Sequence, residues 1–564
     1  MEISKTLFKE YSKCINYPYI DSLYKLRGLH EDFSENINLI KKMFSEDGDD
    51  CINIPDEQME VMLPYFQEVE RLALIEANLR FNKNFIYHKD TKDQVCFSFT
   101  DKDGNVIYTY VDGFYEESDT VTILEIKATT SNKFIKTKRF INNNGVLEID
   151  KIKNSDVKIF ERTSDTGKYF YDFAITKFII NEWIKNNINY KDKKFNYYLG
   201  ILNSNFIFNG NYIDNEPDYF NSEYKERLFT FIDCNTILDE YVLIIKNEYE
   251  SLLKNIQNKD IYKKYNKFCK ECIFEDVCFS GINDLYSIKT LIAPKRVNGD
   301  DLIKLINNGY YKITDINPSL LMNQNHYIQY KAIKDDEVYF NKLEIIKEID
   351  KIKYPIYHLD FESFFIPLPR FIGEKPYTQS VFQFSIHKEV LEKTCDRYKD
   401  NYSFIPYDFS DHRKELVEEL IKIIDLSNGG TVLVYNKNFE YNRIKEFMEL
   451  FPEYKDKLEL INEHMFDLMD VVRGSKIVNY YHKLLNGSFS IKKVLPLFSN
   501  LSYKELDIHN GIEAIIAYSK FKYLPKEDIL ELREKLKKYC GLDTYSMVVI
   551  LNNIKKEIGY VKEA

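Results

Sequence analysis

The chain lacks any apolar run near the ~20 residues that a membrane-spanning helix needs. Its first ten residues, Met1 to Glu10, also lack the apolar segment of a signal peptide, so we expect a cytoplasmic protein with no membrane partner. Tryptophan occurs once, whereas tyrosine occurs 44 times and phenylalanine 40 times. Such rings can stack on nucleic-acid bases, but a general compositional bias explains most of them. The aromatic content alone therefore predicts no function.

A basic excess is also missing, because 78 Lys and Arg face 89 Asp and Glu for a formal net charge of −11. This balance argues against a protein that coats nucleic acid electrostatically. It does not argue against a nuclease, because a metal ion neutralises clustered active-site carboxylates. One local basic stretch runs from Lys127 to Arg139, and a solvated surface is its simplest interpretation.

A length of 564 residues predicts two to four domains, and the residue patterns predict a mixed α/β fold. We predict a first α/β domain over 1–282, a spacer or accessory module over 283–350, and a second α/β domain over 351–564. Strands are predicted within 93–129 and over 355–361, 380–388 and 431–435. Helices are predicted over 3–27, 56–80, 169–187, 236–265, 411–424, 439–450, 511–520 and 526–554.

Acidic residues of the second domain form the most informative pattern. Asp360 and Glu362 alternate on a predicted strand, so both carboxylates leave the same face. Tyr539 and Asp543 are four residues apart on a predicted helix, and Glu440 begins another helix. Converging carboxylates suit a pair of hard divalent cations, which clamp the attacking and leaving oxygens in phosphodiester hydrolysis. Each pattern alone is common on surfaces, and their occurrence in this order predicts a nuclease.

This order of residues resembles the tyrosine subgroup of the DEDD exonuclease superfamily, which has an RNase H-like fold. The resemblance implies that Asp360, Glu362, Glu440 and Asp543 bind Mg²⁺ or Mn²⁺ and that Tyr539 orients or helps to deprotonate the attacking water. It also implies 3′–5′ exonuclease activity on nucleic acid, with DNA favoured over RNA. The chain departs from the pattern at Glu440, where the superfamily usually has Asp.

The chain is similar, more closely still, to an uncharacterised group of bacterial domain-of-unknown-function proteins. Those proteins pair an exonuclease-like domain with an N-terminal RecB-like domain. The stretches that carry this resemblance are 359–364, 369–371, 376–377, 383–385, 435–436, 487–492 and 539–543.

A second acidic pattern lies in the first domain and resembles the PD-(D/E)xK nuclease core. The resemblance implies that Asp112 and Glu125 bind Mg²⁺ or Mn²⁺, while Lys127 positions water or stabilises the charged transition state. RecB-like nucleases place a further ligand on a helix, and Glu70 is the candidate here. An ordinary ion pair on one strand face is the alternative for Glu125 and Lys127. The helix over 171–178 lacks the Gln that the family favours there.

Nine cysteines, an odd number, argue against a disulfide framework and for a metal or cluster site. Cys269, Cys272 and Cys278, with the remote Cys14, resemble the iron–sulfur staple of CRISPR-associated and AddB-type RecB-like nucleases, which implies a [4Fe-4S] cluster. Tetrahedral zinc and ordinary buried cysteines are the alternatives. The remaining cysteines are predicted to be core thiols, with Cys540 pointing away from the acidic face: Cys51, Cys96, Cys234, Cys395 and Cys540.

Two other functions remain open from the sequence. The protein could be a nucleic-acid-binding scaffold whose nuclease domains are partly degenerate, as Glu440 and the missing Gln suggest. Alternatively, only the C-terminal domain could be catalytic.

Overall fold

The structure is a computed structural model that describes residues 1–26, 56–143 and 145–560. Contacts divide these residues into two compact units. The first unit contains 1–26, Met62–Tyr262 and Phe365–Thr378, and the second contains Lys263–Phe364 and 379–560. This division differs from the predicted one, because 263–350 falls within the second unit and Phe365–Thr378 within the first. None of the described helices combines the length and the apolarity needed to cross a membrane.

The first unit is built on a six-stranded sheet of order β4-β5-β8-β11-β7-β6, a three-stranded sheet of order β1-β3-β2 and a β9–β10 hairpin. Its strands are β1 (Glu2–Ser4), β2 (Val95–Thr100), β3 (Val106–Val111), β4 (Gly113–Glu116), β5 (Thr120–Thr130), β6 (Phe140–Asn143), β7 (Val146–Ile149), β8 (Lys194–Leu202), β9 (Tyr212–Ile213), β10 (Glu216–Pro217) and β11 (Phe229–Asp233). Its α-helices are Lys5–Lys13, Tyr17–Leu26, Asp56–Phe81, Asn132–Ile135, Gly167–Ile184 and Asn235–Gln257.

Parallel pairing of β5 with β8 organises the large sheet. Glu125 lies opposite Leu199 and Lys127 lies opposite Ile201. Parallel neighbours need a crossover connection, which the helix Gly167–Ile184 supplies between them. The candidate acid and lysine therefore lie on a central, buried strand.

Gly113 begins β4 directly after Asp112. A Cβ at Gly113 would lie 2.9 Å from both Leu124 Cβ and Leu74 Cδ2, closer than real contacts allow. Glycine is therefore required for the approach of β4 to β5 and to the helix Asp56–Phe81. This close packing places Asp112 beside the strand that carries Glu125.

The structure confirms the strands predicted within 93–129 and the helices predicted at 56–80, 169–187 and 236–265, with shifted ends. The helix predicted over 3–27 is instead two helices, and residue 27 lies outside the described residues. Cys14 interrupts it with an extended backbone of φ −150° and ψ 132°. The Asn16 side chain exchanges two hydrogen bonds with the backbone of Tyr262, of 2.8 and 2.9 Å, which holds the break.

The second unit is built on a five-stranded sheet of order β17-β16-β15-β18-β19. Its strands are β12 (Arg296–Val297), β13 (Asp300–Asp301), β14 (Tyr339–Phe340), β15 (Ile356–Phe364), β16 (Ser380–Glu389), β17 (Asn401–Phe404), β18 (Thr431–Val434), β19 (Met465–Asp467) and β20 (Tyr480–Tyr481). Its α-helices are Glu275–Cys278, Leu302–Asn307, Gln324–Lys334, Lys342–Ile349, Arg413–Ile423, Asn438–Leu450, Lys455–Glu463, Leu468–Arg473, Ile491–Phe498, Gly511–Ser519 and Lys526–Glu557. The predicted strands and helices of this region are confirmed, apart from their ends.

The two faces of β15 pack against different parts of the second unit. Tyr357, Leu359 and Phe361 point into an apolar core shared with the helices Arg413–Ile423 and Asn438–Leu450. The opposite face of the strand lies against the helix Lys526–Glu557, which also covers β16. Strand alternation sends Asp360 and Glu362 to the side opposite the apolar residues.

Polar contacts fix the helix Lys526–Glu557 along β16. Gln383 Nε2 donates to the Leu536 carbonyl at 3.0 Å. Thr544 Oγ1 lies 2.9 Å from Ser385 Oγ and 2.7 Å from His387 Nδ1. These buried contacts flank residues 539–543, so they fix the positions of Tyr539 and Asp543 along β16.

Candidate metal centres

The second unit brings two carboxylates and a thiol together. Asp360, Glu362 and Cys540 each offer a ligand atom, and these atoms lie within 4.8 Å of one another. Cys540 Sγ lies 3.3 Å from Asp360 Oδ2. The pairing of β15 with β16 is irregular between Glu362 and Ser363, and such bulges re-aim side chains beside functional sites. We call this group, together with Asp543, the second-unit centre.

Asp543 joins the same group from the helix Lys526–Glu557. Its negative charge contributes to raising the pKa of Asp360. Tyr503 Oη donates to Asp543 Oδ1 at 2.6 Å, and the ring centroids of Tyr503 and Tyr539 lie 6.2 Å apart. The helix Lys526–Glu557 therefore carries Asp543 close enough to act on Asp360, with Tyr539 about one turn earlier on the same helix.

Burial raises the pKa of Asp360 well above its usual value, and the charge of Asp543 raises it further. The Cys540 hydrogen bond and the charge of Lys492 act in the opposite direction. Burial, followed by the charges of Asp360, Glu362 and Asp543, also raises the pKa of the Cys540 thiol. Clustered negative charge is thus costly here, and a divalent cation would relieve that cost.

The prediction that Cys540 points away from the acidic face is wrong. Cys540 precedes Asp543 by three residues, and this spacing places both side chains on one side of a helix. The Cys540 side chain is fully buried and lies against Asp360.

Glu440 occupies the element that the sequence predicts for it. It lies in the first turn of the helix Asn438–Leu450, and it is buried. The preceding strand β18 pairs in parallel with β15, with Leu433 opposite His358. The carboxyl ends of parallel strands meet at one edge of a sheet, so Glu440 follows the edge that bears Asp360.

Asp467, a residue that sequence reasoning missed, shapes the turn before Glu440. Its carboxylate accepts the backbone N–H groups of Asn436 and Lys437 at 3.0 and 3.1 Å. Asn436 itself has a φ of +68°, a left-handed conformation that asparagine tolerates. An acid at the end of a short strand gives little sequence signal for this role.

Two more neighbours of the second-unit centre, Gly511 and Lys492, were missed or only suggested by the sequence. A Cβ at Gly511, the first residue of its helix, would lie 3.7 Å from Glu362 Oε2. Lys492 Nζ lies 5.7 Å from the ring centroid of Tyr503. Lys492 follows the Gly487–Ser490 stretch, so that motif places a cation close to the acids.

The first unit brings together acids from the helix Asp56–Phe81, from β5 and from the junction of β3 with β4. Asp112 Oδ2 accepts the backbone N–H of Ile126 at 2.6 Å, next to Glu125 on β5. Burial, with the charge of Glu125 second, raises the pKa of Asp112 to about 7. Burial, with the charge of Asp112 second, raises the pKa of Glu70 to about 8. We call Glu70, Asp112, Glu125 and Lys127 the first-unit centre.

Lysines that the sequence analysis did not single out enter this centre. Lys5 Nζ lies 2.7 Å from Glu125 Oε1 and 3.2 Å from Asp172 Oδ2. Lys127 Nζ bridges the same two acids, at 3.0 Å from each. Lys9 Nζ lies 2.8 Å from Asp172 Oδ1. The ion pair of Glu125 with Lys127, which was the alternative interpretation of these two residues, therefore exists as part of a larger network.

Asp172 is the second acid of that network, and it stands on the helix that lacks the expected Gln. Burial alone would raise its pKa, but the charges of Lys127, Lys5 and Lys9 hold it well below its usual value. A carboxylate within a buried, aromatic-rich helix is the signal that could have identified it.

The cysteines predicted to hold a cluster lie in short, hydrogen-bonded turns. In the second unit, Cys269 opens a one-turn helix, Cys272 follows it, and Cys278 ends the helix Glu275–Cys278. The Asn266 N–H donates to Cys269 Sγ at 3.3 Å. In the first unit, the Asn16 N–H donates to Cys14 Sγ at 3.4 Å. Cys51 lies outside the described residues.

Comparisons with known proteins agree with part of the predicted kinship. A family model described as a domain of unknown function (DUF2779) matches residues 357–490. An uncharacterized protein of Ureaplasma parvum serovar 3, UU173, is 29% identical over 230 residues, which cover 38% of this chain and 33% of that protein. The chain thus spans about a third of the length of the curated relative it matches. No solved structure matches it.

The DUF2779 match includes Asp360, Glu362 and Glu440 and ends before Tyr539 and Asp543. The match covers nearly all of the five-stranded sheet of the second unit, and the description of the family names no activity.

Proposed function

We propose that the protein is a metal-dependent nuclease whose second unit acts as a DEDD-type 3′–5′ exonuclease, with DNA favoured as substrate. The observation that carries this proposal is the meeting of Asp360 and Glu362 from β15 with Cys540 from the helix Lys526–Glu557, within 4.8 Å of one another. Asp543 lies on the same helix, and its charge raises the pKa of Asp360. The mixed five-stranded sheet, with helices on both faces, supports the RNase H-like fold that the resemblance implies.

The donor set fits hard divalent cations. Asp360, Glu362 and Asp543 supply carboxylate oxygens, the ligands that Mg²⁺ and Mn²⁺ prefer, and Glu440 is the fourth candidate. The raised pKa of Asp360 means that ionising its carboxyl group is unfavourable here without a cation. Bound divalent ions would lower the pKa of a water molecule and neutralise the phosphodiester oxygens.

Neighbouring residues have roles that follow from their positions. Tyr539 lies on the helix face of Asp543 and is the group proposed to orient the attacking water. Tyr503 holds the Asp543 carboxylate through a hydrogen bond of 2.6 Å. Lys492 supplies positive charge near the acids, which suits a phosphate group of the substrate.

We further propose that the first unit is a RecB-like nuclease domain of PD-(D/E)xK type. Glu70, Asp112 and Glu125 would hold its metal ion, and Lys127 would stabilise the charged transition state. Glu125 Oε2 is buried without a hydrogen bond to any described residue, so it is available as a metal ligand. The partnership of Lys127 with Asp172 holds the ammonium group in the centre.

For Cys14, Cys269, Cys272 and Cys278 we propose a [4Fe-4S] cluster, with zinc as the alternative. Anaerobically purified protein should be brown and absorb near about 400 nm if the cluster is present. Cys269→Ser should remove the colour, whereas Cys234→Ser should keep it. A colourless protein with one bound zinc ion would instead establish the alternative.

The test of the proposed nuclease is a cleavage assay on end-labelled single- and double-stranded DNA and RNA, with Mg²⁺ or Mn²⁺. Cleavage from the 3′ end should disappear in Asp360→Asn and persist in the control Asp408→Asn, which changes an exposed carboxylate of the same unit. Intact substrates with the unchanged protein, under every metal condition, would contradict the proposal.

A second candidate function is a nucleic-acid-binding scaffold. The observation in its favour is the lysine network of the first-unit centre, which neutralises Glu125 and Asp172 without any metal. Tight binding in a gel-shift assay, with no cleavage, would favour the scaffold.

If only the second unit is catalytic, Lys127→Ala should leave all cleavage intact. Complete loss of cleavage in that variant would exclude the hypothesis that the second unit acts alone.

A further inference from the structure

We propose that Cys540 is itself a ligand of the second-unit centre and makes it favour thiophilic divalent ions such as Zn²⁺ and Co²⁺ over Mg²⁺. This inference rests on the proposed function, because it adds a residue to the same metal centre. The three ligand atoms of Asp360, Glu362 and Cys540 lie within 4.8 Å of one another.

The separation of the thiol from the carboxylate fits coordination of one ion. Cys540 Sγ lies 3.3 Å from Asp360 Oδ2. In a tetrahedral zinc site, sulfur at ~2.3 Å and oxygen at ~2.1 Å from the metal lie roughly 3.5 Å apart. The two atoms therefore already have nearly the spacing of neighbouring ligands.

The surroundings of Cys540 are unusual for a structural cysteine. A buried thiol usually packs as a small apolar group, but this one contacts a carboxylate and lies near Glu362 and Asp543. Its helix is fixed on both sides of the site, through Leu536 and Thr544. The position of the sulfur is thus set before any ion binds, which is the arrangement that a selective site needs.

The thiol would behave differently with different ions. With Mg²⁺, which takes oxygen ligands, Cys540 would keep its proton and remain a hydrogen-bond donor to Asp360. With Zn²⁺ or Co²⁺, the S–H proton would be released to solvent and the sulfur would bind as thiolate. One proton is released for each thiolate formed, so charge and atoms balance.

The test is a Co²⁺ titration of the full chain followed by absorption spectroscopy, because thiolate–Co²⁺ pairs absorb strongly in the near ultraviolet. The compared variants are Cys540→Ser, Cys540→Ala, Asp360→Asn and the control Cys234→Ser, which changes a buried thiol of the first unit. Cys14, Cys269, Cys272 and Cys278 are the same in all of them, so difference spectra isolate Cys540. Binding of Mg²⁺ is measured in parallel by calorimetry.

We expect an absorption band that is present in the unchanged protein and in Cys234→Ser and is absent from both Cys540 variants and from Asp360→Asn. Loss of one ligand should weaken Co²⁺ binding by about 10-fold or more in Cys540→Ser. Mg²⁺ affinity should stay within about twofold, because oxygen ligands hold that ion.

Two results would overturn the inference in distinguishable ways. If Asp360→Asn weakens Co²⁺ binding but both folded Cys540 variants keep the full band, the metal centre remains and Cys540 is not its ligand. If Asp360→Asn leaves the binding of both Co²⁺ and Mg²⁺ unchanged, the proposed nuclease centre fails, and this inference fails with it.

Discussion

The two candidate metal centres gather a similar set of acids but satisfy them differently. In the first-unit centre, the ammonium groups of Lys5 and Lys127 each lie within 3.2 Å of both Glu125 and Asp172. In the second-unit centre, neutral donors contact the acids, since Cys540 lies against Asp360 and Tyr503 donates to Asp543. The first arrangement stabilises the ionised forms of Glu125 and Asp172 without an ion, whereas ionisation of Asp360 in the second stays unfavourable until a cation binds.

Buried acids with different neighbours therefore have opposite effects on the stability of the fold. A buried acid paired with lysines supports folding, and its removal leaves the lysines uncompensated. A buried acid beside another acid opposes folding until a cation arrives. Removal of the Asp172 charge should therefore lower the free energy of unfolding, whereas removal of the Asp360 charge should raise it.

The largest expected effect is on cleavage at the second-unit centre. Asp360→Asn keeps the shape of the side chain but removes a charged metal ligand, so the cleavage rate should fall about a thousandfold. The measurement is single-turnover cleavage of end-labelled DNA at saturating Mn²⁺. A rate within about threefold of the unchanged protein would remove Asp360 from the chemistry.

A large loss of stability is expected when Asp172, the acid that neighbours the first-unit centre, is changed. Asp172→Asn removes the carboxylate that Lys5, Lys9 and Lys127 share, and breaking such a buried pair costs about 3–5 kcal/mol. The free energy of unfolding should therefore fall by that amount in a urea titration.

Asp360→Asn supplies the comparison in the same titration, without divalent ions. It should raise the free energy of unfolding by about 1 kcal/mol, because it relieves the repulsion by Asp543. If both variants lost stability equally, the contrast between the two centres would be wrong.

The pH dependence of stability should identify the first-unit centre. Burial and neighbouring charge raise the pKa of Asp112 to about 7 and that of Glu70 to about 8, above their values in the unfolded chain. Their contribution to stability is therefore fully present below the unfolded values and is lost as pH rises through 7 to 8. The loss should amount to several kcal/mol between about pH 5 and pH 8.5 in EDTA, since each pH unit of a single titration contributes about 1.4 kcal/mol.

Glu70→Gln is the matched variant for that measurement, because it removes one of the two titrations and should flatten the profile. Mg²⁺ competes with these protons, so the increase in melting temperature that Mg²⁺ produces should grow with pH. An increase that stays constant across the range would contradict the assignment of Glu70 and Asp112 as ligands.

The smallest expected effect comes from the phenol that holds Asp543. Tyr503→Phe removes one hydrogen bond to a charged group, worth about 1 kcal/mol, so cleavage should slow about fivefold. Weaker Mn²⁺ binding should accompany the slower cleavage, because the carboxylate loses its fixed orientation. Slower cleavage with unchanged Mn²⁺ affinity would mean that Tyr503 acts in some other way.

The sequence predicted the elements of the second-unit centre well because each pattern is local. Alternation along a strand placed Asp360 and Glu362 together, and helical spacing did the same for Tyr539 and Asp543. The direction of the Cys540 side chain was predicted wrongly because a helix that crosses a strand directs side chains towards it over a broad arc. Cys540 and Asp543 are only about 60° apart around the helix axis.

Contacts between distant parts of the chain were not predictable in this way. Lys5 and Glu125 are separated by 120 residues, and Tyr503 and Asp543 by 40. The tertiary fold creates these pairs, and no periodicity in one segment reports on another. The break at Cys14 has the same origin, because the residue that holds it, Tyr262, lies far along the chain.

Crystals grown with Mn²⁺ would show whether the acids of β15 and of the helix Lys526–Glu557 hold a divalent ion. Anomalous diffraction should show an ion within about 2.5 Å of oxygens from Asp360 and either Glu362 or Asp543. Well-ordered side chains with no anomalous peak there, at a Mn²⁺ concentration that supports cleavage, would contradict the claim.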